Sequence, residues 1–239
     1  MGNTPRPAPR REKARAATIE EIKRTAVTLM HEHGTADLKF TDIARAMDMT
    51  PPALYRYFAD RDALLSELIT DAYNDLGTAV AEARDALPAD DIAGRFRAIT
   101  HSYRRWAREE PQRFALIFGL PVSGYVAPED GSTTEAAQRA MSQMSALFVE
   151  ALMAGRLGPP RIREVHPAIA ACAETKNDEL PVAIPADTFQ AMLHVWSSLH
   201  GFVSLEAYGH FAWIDEAGVD ALFETHARLT AQNAGLPVD

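Results

Sequence analysis

Two short apolar segments, at about residues 40–47 and 51–58, constrain the fold of this chain more than any other feature. A tight turn at Asp48 and Met49 separates them. Two helices that cross steeply over so short a turn need a small side chain at their contact, and Ala44 provides it. The pattern therefore predicts two abutting helices packed against a preceding one. The side chains expected to be buried among the three helices are Ile43, Met47, Met49, Leu54 and Tyr57.

The start of the second segment carries signals for helix initiation. Thr50 is a residue type that caps helix N-termini, and Pro51 suits the first helical position because no backbone N–H is needed there. In a helix-turn-helix, the second helix enters the major groove of DNA by its N-terminal end. The spacing therefore predicts a helix-turn-helix that binds duplex DNA.

The run LYRYFADRDALL, residues 54–65, resembles the signature of the TetR (tetracycline-repressor-like) family. The resemblance is free of gaps from residue 34 to residue 65. It implies an all-α protein, in which a three-helix helix-turn-helix domain precedes an α-helical ligand-binding and dimerisation domain. Two positions depart from the family pattern: Asp48 replaces the usual turn Gly, and Lys39 replaces the usual Ser or Thr cap of the first motif helix. That helix start is then either weaker or capped from Asp37.

The resemblance and the helix geometry together suggest which residues contact DNA. Arg56 is the best candidate for a bidentate contact to guanine, whereas Pro51, Pro52 and Ala53 at the groove-facing helix start offer apolar contacts. Tyr57 could instead pack in the core. Thr50, Tyr55 and Tyr57 can donate to phosphates, and the resemblance implies a phosphate contact for Arg61 and a DNA contact for Thr41, on the first turn of the preceding helix. In the basic arm, Arg10, Arg11 and Lys13 could follow the DNA backbone or enter the minor groove.

The charge distribution supports this arrangement although the net charge is −9. Residues 1–65 hold 11 Lys and Arg against 9 Asp and Glu, whereas the remaining residues hold 13 against 24. A basic tail can follow phosphates, although it can also be merely solvated. We expect a disordered basic arm at 1–14, a helix-turn-helix domain at 15–60, and an effector-binding and dimerisation domain at 61–239.

Apolar residues recur at helical spacing along most of the chain, and no segment alternates as a strand would. We expect Gly34 to end the first helix, and Asp187 and Asp215 to cap the last two. About nine helices are predicted. Their approximate ranges are 17–33, 40–47, 51–58, 61–86, 90–109, 111–118, 134–154, 187–208 and 215–233, with a further short one near 163–175.

A second motif, Trp196-x3-His200-Gly201-x2-Ser204-Leu205-Glu206, resembles the WHG-type C-terminal domain found in one branch of the TetR family. The resemblance implies that the last two long helices pair with those of a second copy in a homodimer. A Gly inside a helix costs about 1 kcal/mol relative to Ala, so Gly201 is expected to permit a close helix approach. The predicted interface residues are Trp196, His200, Gly201, Ser204 and Leu205.

The resemblance also implies a cavity for an effector within the C-terminal helices. Such cavities are mostly apolar with a few polar groups, which suits a small hydrophobic ligand. Aromatic and Met side chains at helical spacing more often form core than pocket, so each candidate has that alternative. The candidate lining residues, all on predicted inner faces, are Tyr103, Trp106, Phe114, Phe118, Met141, Met144, Phe148 and His194.

Other classes of protein find little support. No apolar run reaches the roughly 18 residues of a membrane span, and the basic N-terminus lacks the apolar stretch of a signal peptide, so we expect a cytoplasmic protein without a membrane partner. Cys172 is the only cysteine and the histidines are wrongly spaced for metal ligands, so no metal or cofactor is expected. No nucleophile–base pair or phosphate loop indicates an enzyme, since Ser204 lies within a helix.

These observations together predict a transcriptional regulator. The leading hypothesis is a repressor that a small hydrophobic ligand releases from a palindromic operator. The alternatives are an activator, and a protein with the regulator fold but no small-molecule ligand.

Overall fold

The computed structural model describes residues 10–35, 37–119, 124–125, 131–178 and 182–238. These residues form ten α-helices and no strand, which confirms the predicted all-α class. None of the helices in these ranges is long and apolar enough to cross a membrane. The helices are α1 (Arg10–His33), α2 (Phe40–Ala46), α3 (Pro51–Leu54), α4 (Arg61–Asp85), α5 (Ile92–Glu109), α6 (Pro111–Phe118), α7 (Ser132–Met153), α8 (Pro167–Asn177), α9 (Ala186–Ala207) and α10 (Glu216–Asn233).

Several helix boundaries differ from the predicted ones, and those of α1, α3 and α9 involve residues with a predicted role. Helix α1 begins at Arg10, so residues 10–14 of the predicted disordered arm are helical, while residues 1–9 lie outside the described part. Helix α3 ends at Leu54, and hydrogen-bonded turns carry the chain on to Phe58. Helix α9 begins after Pro185 rather than at Asp187, whose carboxylate instead accepts a bond from the Thr188 amide at 2.8 Å.

The described chain forms two compact units. Unit 1 contains the described residues of Met1–Tyr73 and Glu110–Ala136, and unit 2 those of Asn74–Glu109 and Ala137–Asp239. A single apolar cluster fills unit 1, because α1, α2, α3, the first half of α4, and α6 all turn apolar side chains into it. Its buried members are Ile22, Ala26, Leu29, Met30, Leu38, Phe40, Ile43, Ala44, Leu54, Phe58, Leu64, Leu65, Leu68, Ile69 and Leu116.

The crossing of α2 and α3 has the features that the sequence indicates. Ala44 has no accessible surface, and the Met49 amide donates to the Ala44 carbonyl at 2.9 Å, which closes the turn. Asp48 has a φ of 52°, the only positive φ among the described non-glycine residues. Asp tolerates this left-handed conformation better than most residues, so it can replace the family's Gly at some cost.

The two motif helices lack side-chain caps. Thr50 occupies the N-cap position of α3 and Pro51 its first position, as predicted, but the Thr50 side chain makes no capping hydrogen bond. Lys39 occupies the N-cap position of α2 with extended dihedrals and likewise makes none. The orphan N–H groups of these short helices therefore gain nothing from their cap side chains.

Replacing Lys39 with serine should stabilise the protein by about 1 kcal/mol, because serine can accept a hydrogen bond from the free amides of α2. Lys39 is exposed and already has the backbone conformation of a cap, so no rearrangement is needed. The free energy of unfolding from urea titration measures the effect. Lys39→Ala removes the same side chain but cannot cap, and equal stability of the two variants would contradict this explanation.

Unit 2 is built from the end of α4, from α5, most of α7, and α8, α9 and α10. Helices α4 and α7 approach closely at Gly77, where an added Cβ would lie 3.3 Å from the Ala140 Cα. Two buried arginines cross-link the helices: Arg95 pairs with Asp85 and Glu150, and Arg104 pairs with Glu206. Asp215 caps α10, as predicted, by accepting from the Gly218 amide at 2.7 Å.

Candidate DNA-binding site and ligand cavity

The start of α3 presents an exposed surface on a buried anchor. Leu54 has no accessible surface and fixes the helix in the core of unit 1. Pro51, Pro52 and Arg56 are exposed, and Ala53 is half-buried. The side chains that the sequence predicts for base contacts are therefore accessible to a duplex.

Two tyrosines flank this surface in different ways. Tyr55 is 57% exposed and packs its ring against Phe40 at a centroid distance of 5.2 Å, which leaves its hydroxyl side accessible. Tyr57 is half-buried and packs against the core cluster, and its contact to phosphate stays a prediction. Thr50 is exposed at the start of the same surface.

The basic end of α1 lies beside α3. The guanidinium group of Arg15 donates to the Arg56 carbonyl at 3.2 Å and stands 5.8 Å from the centre of the Tyr57 ring. Arg11 is four residues earlier in the same helix, so it lies on the same face of α1. Arg10, Arg11 and Lys13 are all exposed on the first turns of α1, and Arg11 is the one that shares a face with Arg15.

Helix α2 adds two exposed residues. Thr41, a predicted contact, is exposed on its first turn. Arg45, four residues later, lies on the same face with its side chain 79% exposed, although it also approaches Asp42 at 3.4 Å. Arg45 is not among the contact candidates that the sequence suggests, whereas Arg15 belongs to the basic tail that can follow phosphates. Arg45 follows Thr41 by four residues, and Arg15 follows Arg11 by four. This spacing places each pair on one helical face, and it is the sequence signal for the two arginines.

Arg61 has internal partners that the sequence did not reveal. Its Nε donates to the Leu38 carbonyl at 2.8 Å, and the guanidinium group forms an ion pair with Asp37. It therefore holds the segment before α2 against the start of α4. Asp37 binds this arginine and not the free amides of α2, for which no side-chain cap is present.

The predicted interface residues of α9 divide between two faces. Trp196 stacks on His200 at 5.1 Å, and the His200 Nδ1 shares a hydrogen bond of 2.7 Å with the Tyr103 hydroxyl of α5. These two side chains therefore face the interior of their own unit, where burial lowers the pKa of His200. Leu205 is exposed on the outer side, and Ser204 is half-buried near His200.

Gly201 does not serve a close helix approach within the chain. A Cβ built on it would meet nothing within 4 Å, so no described element of the same chain needs the glycine. Its neighbours on the outer side of α9 follow at intervals of four residues, which places them on one helical face. They are Leu193, Ser197 and Leu205.

An apolar cavity of about 40 Å³ lies between α4, α5, α7 and α9 within unit 2. Three of the residues predicted to bind an effector line it, namely Tyr103, Met141 and Met144. Trp196, which the sequence assigns to the dimer interface, lines it as well. Both faces of α9 are apolar, so the sequence pattern alone could not distinguish the inner face from the outer one.

The remaining five predicted lining residues lie elsewhere. Trp106 donates to the Asp75 carboxylate at 3.1 Å, Phe148 is fully buried, and neither lines this cavity. His194 is exposed and lines a separate surface groove of about 440 Å³ beside α10. The other two, Phe114 and Phe118, belong to unit 1. They pack on each other, and Phe118 also contacts Tyr73.

Two family models match the chain over these regions. The model described as "Bacterial regulatory proteins, tetR family" matches residues 22–68, which include the α2–α3 motif. The model described as "Tetracyclin repressor-like, C-terminal domain" matches residues 96–229, which include the Trp196–Glu206 motif.

Full-length relatives agree with these matches. The HTH-type transcriptional regulators Mb1846 of Mycobacterium bovis and Rv1816 of Mycobacterium tuberculosis are each 32% identical over 224 residues, which cover 92% of this chain and 91% of the relative. Among solved structures, SCO4313 is 33% identical with a TM-score of 0.72, covering 96% of this chain and 100% of that one. The TetR-family regulator PfmR of Thermus thermophilus shares the fold at 17% identity, with a TM-score of 0.57 and coverages of 88% and 97%. The chain therefore belongs to the TetR family, and it is a DNA-binding transcriptional regulator of the helix-turn-helix type.

Proposed function

We propose that the protein is a homodimeric repressor that binds a palindromic operator and leaves it when a small hydrophobic effector enters the unit 2 cavity. The exposed start of α3 on its buried Leu54 anchor is the observation that carries the DNA-binding part. Such a regulator acts where the chromosome lies, which we take to be the cytoplasm.

The surface proposed to bind DNA consists of the start of α3 and the basic residues of the neighbouring helices. Arg56 is the residue for a guanine contact, because its guanidinium can bond both guanine acceptors in the major groove. Pro51, Pro52 and Ala53 would contact thymine methyl groups or the groove wall. The polar and basic residues proposed to bind the DNA backbone are Thr41, Arg45, Thr50, Tyr55, Tyr57, Arg61, Arg10, Arg11, Lys13 and Arg15.

Arg56→Ala should weaken binding to the specific operator by about 1–3 kcal/mol, mainly through one base position. Fluorescence anisotropy with the operator and with duplexes substituted at each position measures this. Arg24→Ala, at an exposed α1 residue outside the proposed surface, is the charge-matched control and should change affinity little. Equal losses for Arg56→Ala on every duplex sequence would mean that Arg56 binds phosphate and reads no base.

The proposed dimer interface is the outer side of α9 and α10. Four leucines there are between 42% and 50% exposed in the single chain, and apolar surface on neighbouring helices would be covered by a second copy. A second copy packed against them would form a four-helix interface. The α3 helices of the two copies could then enter successive major grooves, which are about 34–36 Å apart. The leucines are Leu193, Leu205, Leu222 and Leu229.

The proposed effector site is the cavity that Tyr103, Met141 and Met144 line. At about 40 Å³ it is far below the roughly 300–1,000 Å³ of typical ligand pockets, so binding must widen it. Met side chains adapt easily, and both methionines are half-buried, so they can move aside. A fold neighbour at 18% identity and a TM-score of 0.53, RolR, has been solved in complex with resorcinol, a small phenol.

Helix α4 would carry the signal. It begins at Arg61, which bonds to Leu38 just before α2, and its later residues Leu76 and Val80 line the cavity. An effector that binds the widened state more tightly shifts the population toward it, and only by that difference in affinity. A displaced α4 would then change the spacing of the two α3 helices.

Anisotropy of labelled duplexes that tile the region upstream of the protein's own gene tests the proposal. We expect salt-dependent, saturable binding of the full-length chain to one palindromic segment, and reduced transcription from it with purified polymerase. Increased transcription would make the protein an activator. Absence of preference for any duplex would contradict operator recognition.

The small cavity also supports a second candidate, a regulator that needs no small-molecule effector. In that case the unit 2 cavity is a packing defect, and no ligand alters operator affinity. Titration of the operator complex with small neutral probes such as phenol and toluene distinguishes this candidate from the first.

A further inference from the structure

One residue that lines the unit 2 cavity has an unsatisfied polar atom. Gln143, on α7, lines the cavity, and its Oε1 is buried without any hydrogen-bond partner in the described part of the chain. Its Nε2 donates to the Arg139 carbonyl at 3.1 Å. A carbonyl can only accept, so the amide nitrogen must face Arg139 and the oxygen must be the unpaired end.

Two other polar groups of the cavity are already bonded. Thr100 donates its hydroxyl to the Arg97 carbonyl at 2.9 Å, and the Tyr103 hydroxyl is bonded to His200 at 2.7 Å. A buried acceptor without a partner is costly, and native proteins retain few of them. A single water could occupy this volume, but it needs two or more polar partners, and the lining is mainly apolar.

The lining also excludes charged ligands. None of the described residues that line the cavity carries a charge, so a buried ammonium or carboxylate would have no counter-charge there. A neutral molecule avoids that cost. Leu76, Val80, Ile99 and Leu199 give such a molecule apolar contacts on several sides.

From these observations, and on the basis of the effector site proposed above, we infer that the cavity binds a small, uncharged, mainly apolar molecule with one hydrogen-bond donor, which Gln143 Oε1 accepts. Small phenols and alcohols are the chemical class that has these properties. Gln143 then determines specificity, because an analogue without the donor leaves the oxygen unpaired. The two methionines beside it provide the room.

Phenol and toluene are matched probes for this inference, since a hydroxyl in one replaces a methyl in the other. The full-length protein is labelled at its methionine methyl groups, and the shifts of the Met141 and Met144 signals give a dissociation constant for each probe. We expect the wild-type protein to bind phenol at least tenfold more tightly than toluene. In Gln143→Leu that preference should disappear, because phenol binds more weakly while toluene binds as well as before.

Gln138→Leu is the matched control. It makes the same substitution on the same helix at an exposed position, and should keep the wild-type preference. The same phenol-to-toluene ratio in Gln143→Leu and wild type would overturn the inference. So would the absence of shifts at both methionines with either probe.

Operator anisotropy in the same samples separates this inference from the proposed function. If phenol binds in a Gln143-dependent way but does not change operator affinity, the inferred ligand site is correct and the proposed release from the operator is wrong. If the chain shows no operator preference at all, the repressor proposal fails, whatever the probe ratios are.

Discussion

Replacing Arg104 with methionine is expected to lower the free energy of unfolding by about 3–5 kcal/mol, because the change leaves a buried carboxylate unpaired. Arg104 is 7% exposed and binds Glu206 through two hydrogen bonds of 2.7 and 2.6 Å; the Glu206 side chain is itself only 14% exposed. The same guanidinium group bonds to Asp220 at 2.7 Å and lies 4.7 Å from the centre of the Phe223 ring.

The electrostatic balance favours the paired state. Burial alone lowers the pKa of Arg104, but the hydrogen bonds that it donates to Glu206 and Asp220 raise it overall, so the arginine stays charged. Urea denaturation at a fixed protein concentration measures the loss. Arg105→Met changes the next residue of α5, which is exposed, and should cost no more than about 0.5 kcal/mol.

A double variant tests the pairing itself. In Arg104→Met with Glu206→Leu no carboxylate of the pair remains buried, so much of the stability should return. If Arg104→Met is no less stable than Arg105→Met, the pair contributes nothing to stability. If the free energy of unfolding lost in the double variant equals the sum of the losses in the two single variants, the two residues act separately.

Gly201→Leu should leave the single chain intact and raise the dissociation constant of the dimer about tenfold or more. A new side chain meets nothing within 4 Å in its own chain, and leucine favours a helix more than glycine does. Overpacking a tight contact costs about 1–3 kcal/mol, which corresponds to this change in affinity. Operator affinity should fall as well, because separated chains no longer bind two half-sites together.

Sedimentation at several concentrations measures the dimer constant, and urea denaturation checks that the fold persists. Ala171→Leu adds the same side chain at an exposed position of α8, away from the proposed interface, and should leave the dimer unchanged. A Gly201→Leu protein with the wild-type sedimentation mass at all concentrations would rule out the outer face of α9 as the interface.

Local signals predicted most of the fold. Gly34 ends α1 with a φ of 64°, Pro111 opens α6 and Asp215 caps α10, and each acts through its own backbone chemistry. The early start of α1 was missed because residues 10–16 are good helix formers without an apolar stripe. That segment is helical because of its helix propensity and not because of burial. The spacing of apolar residues carries no information on helix propensity.

Long-range contacts explain what the sequence could not predict. Arg104 and Glu206 are 102 residues apart, so no local pattern joins them, although the sequence motif includes Glu206. The same holds for the inward orientation of Trp196, which depends on Tyr103 of α5. For the DNA-binding residues, by contrast, exposure follows from helical position alone, and their roles as contacts remain predictions.

The shallow anchoring of α3 has an evolutionary consequence. Apart from Leu54, the residues from Thr50 to Arg56 are exposed or only half-buried, and the core of unit 1 hardly depends on them. Surface substitutions of this kind usually change stability by no more than about 0.5 kcal/mol. If these residues read the operator as proposed, descendants of this chain can acquire new target sites by exchanging a few amino acids, while the core below them is inherited unchanged.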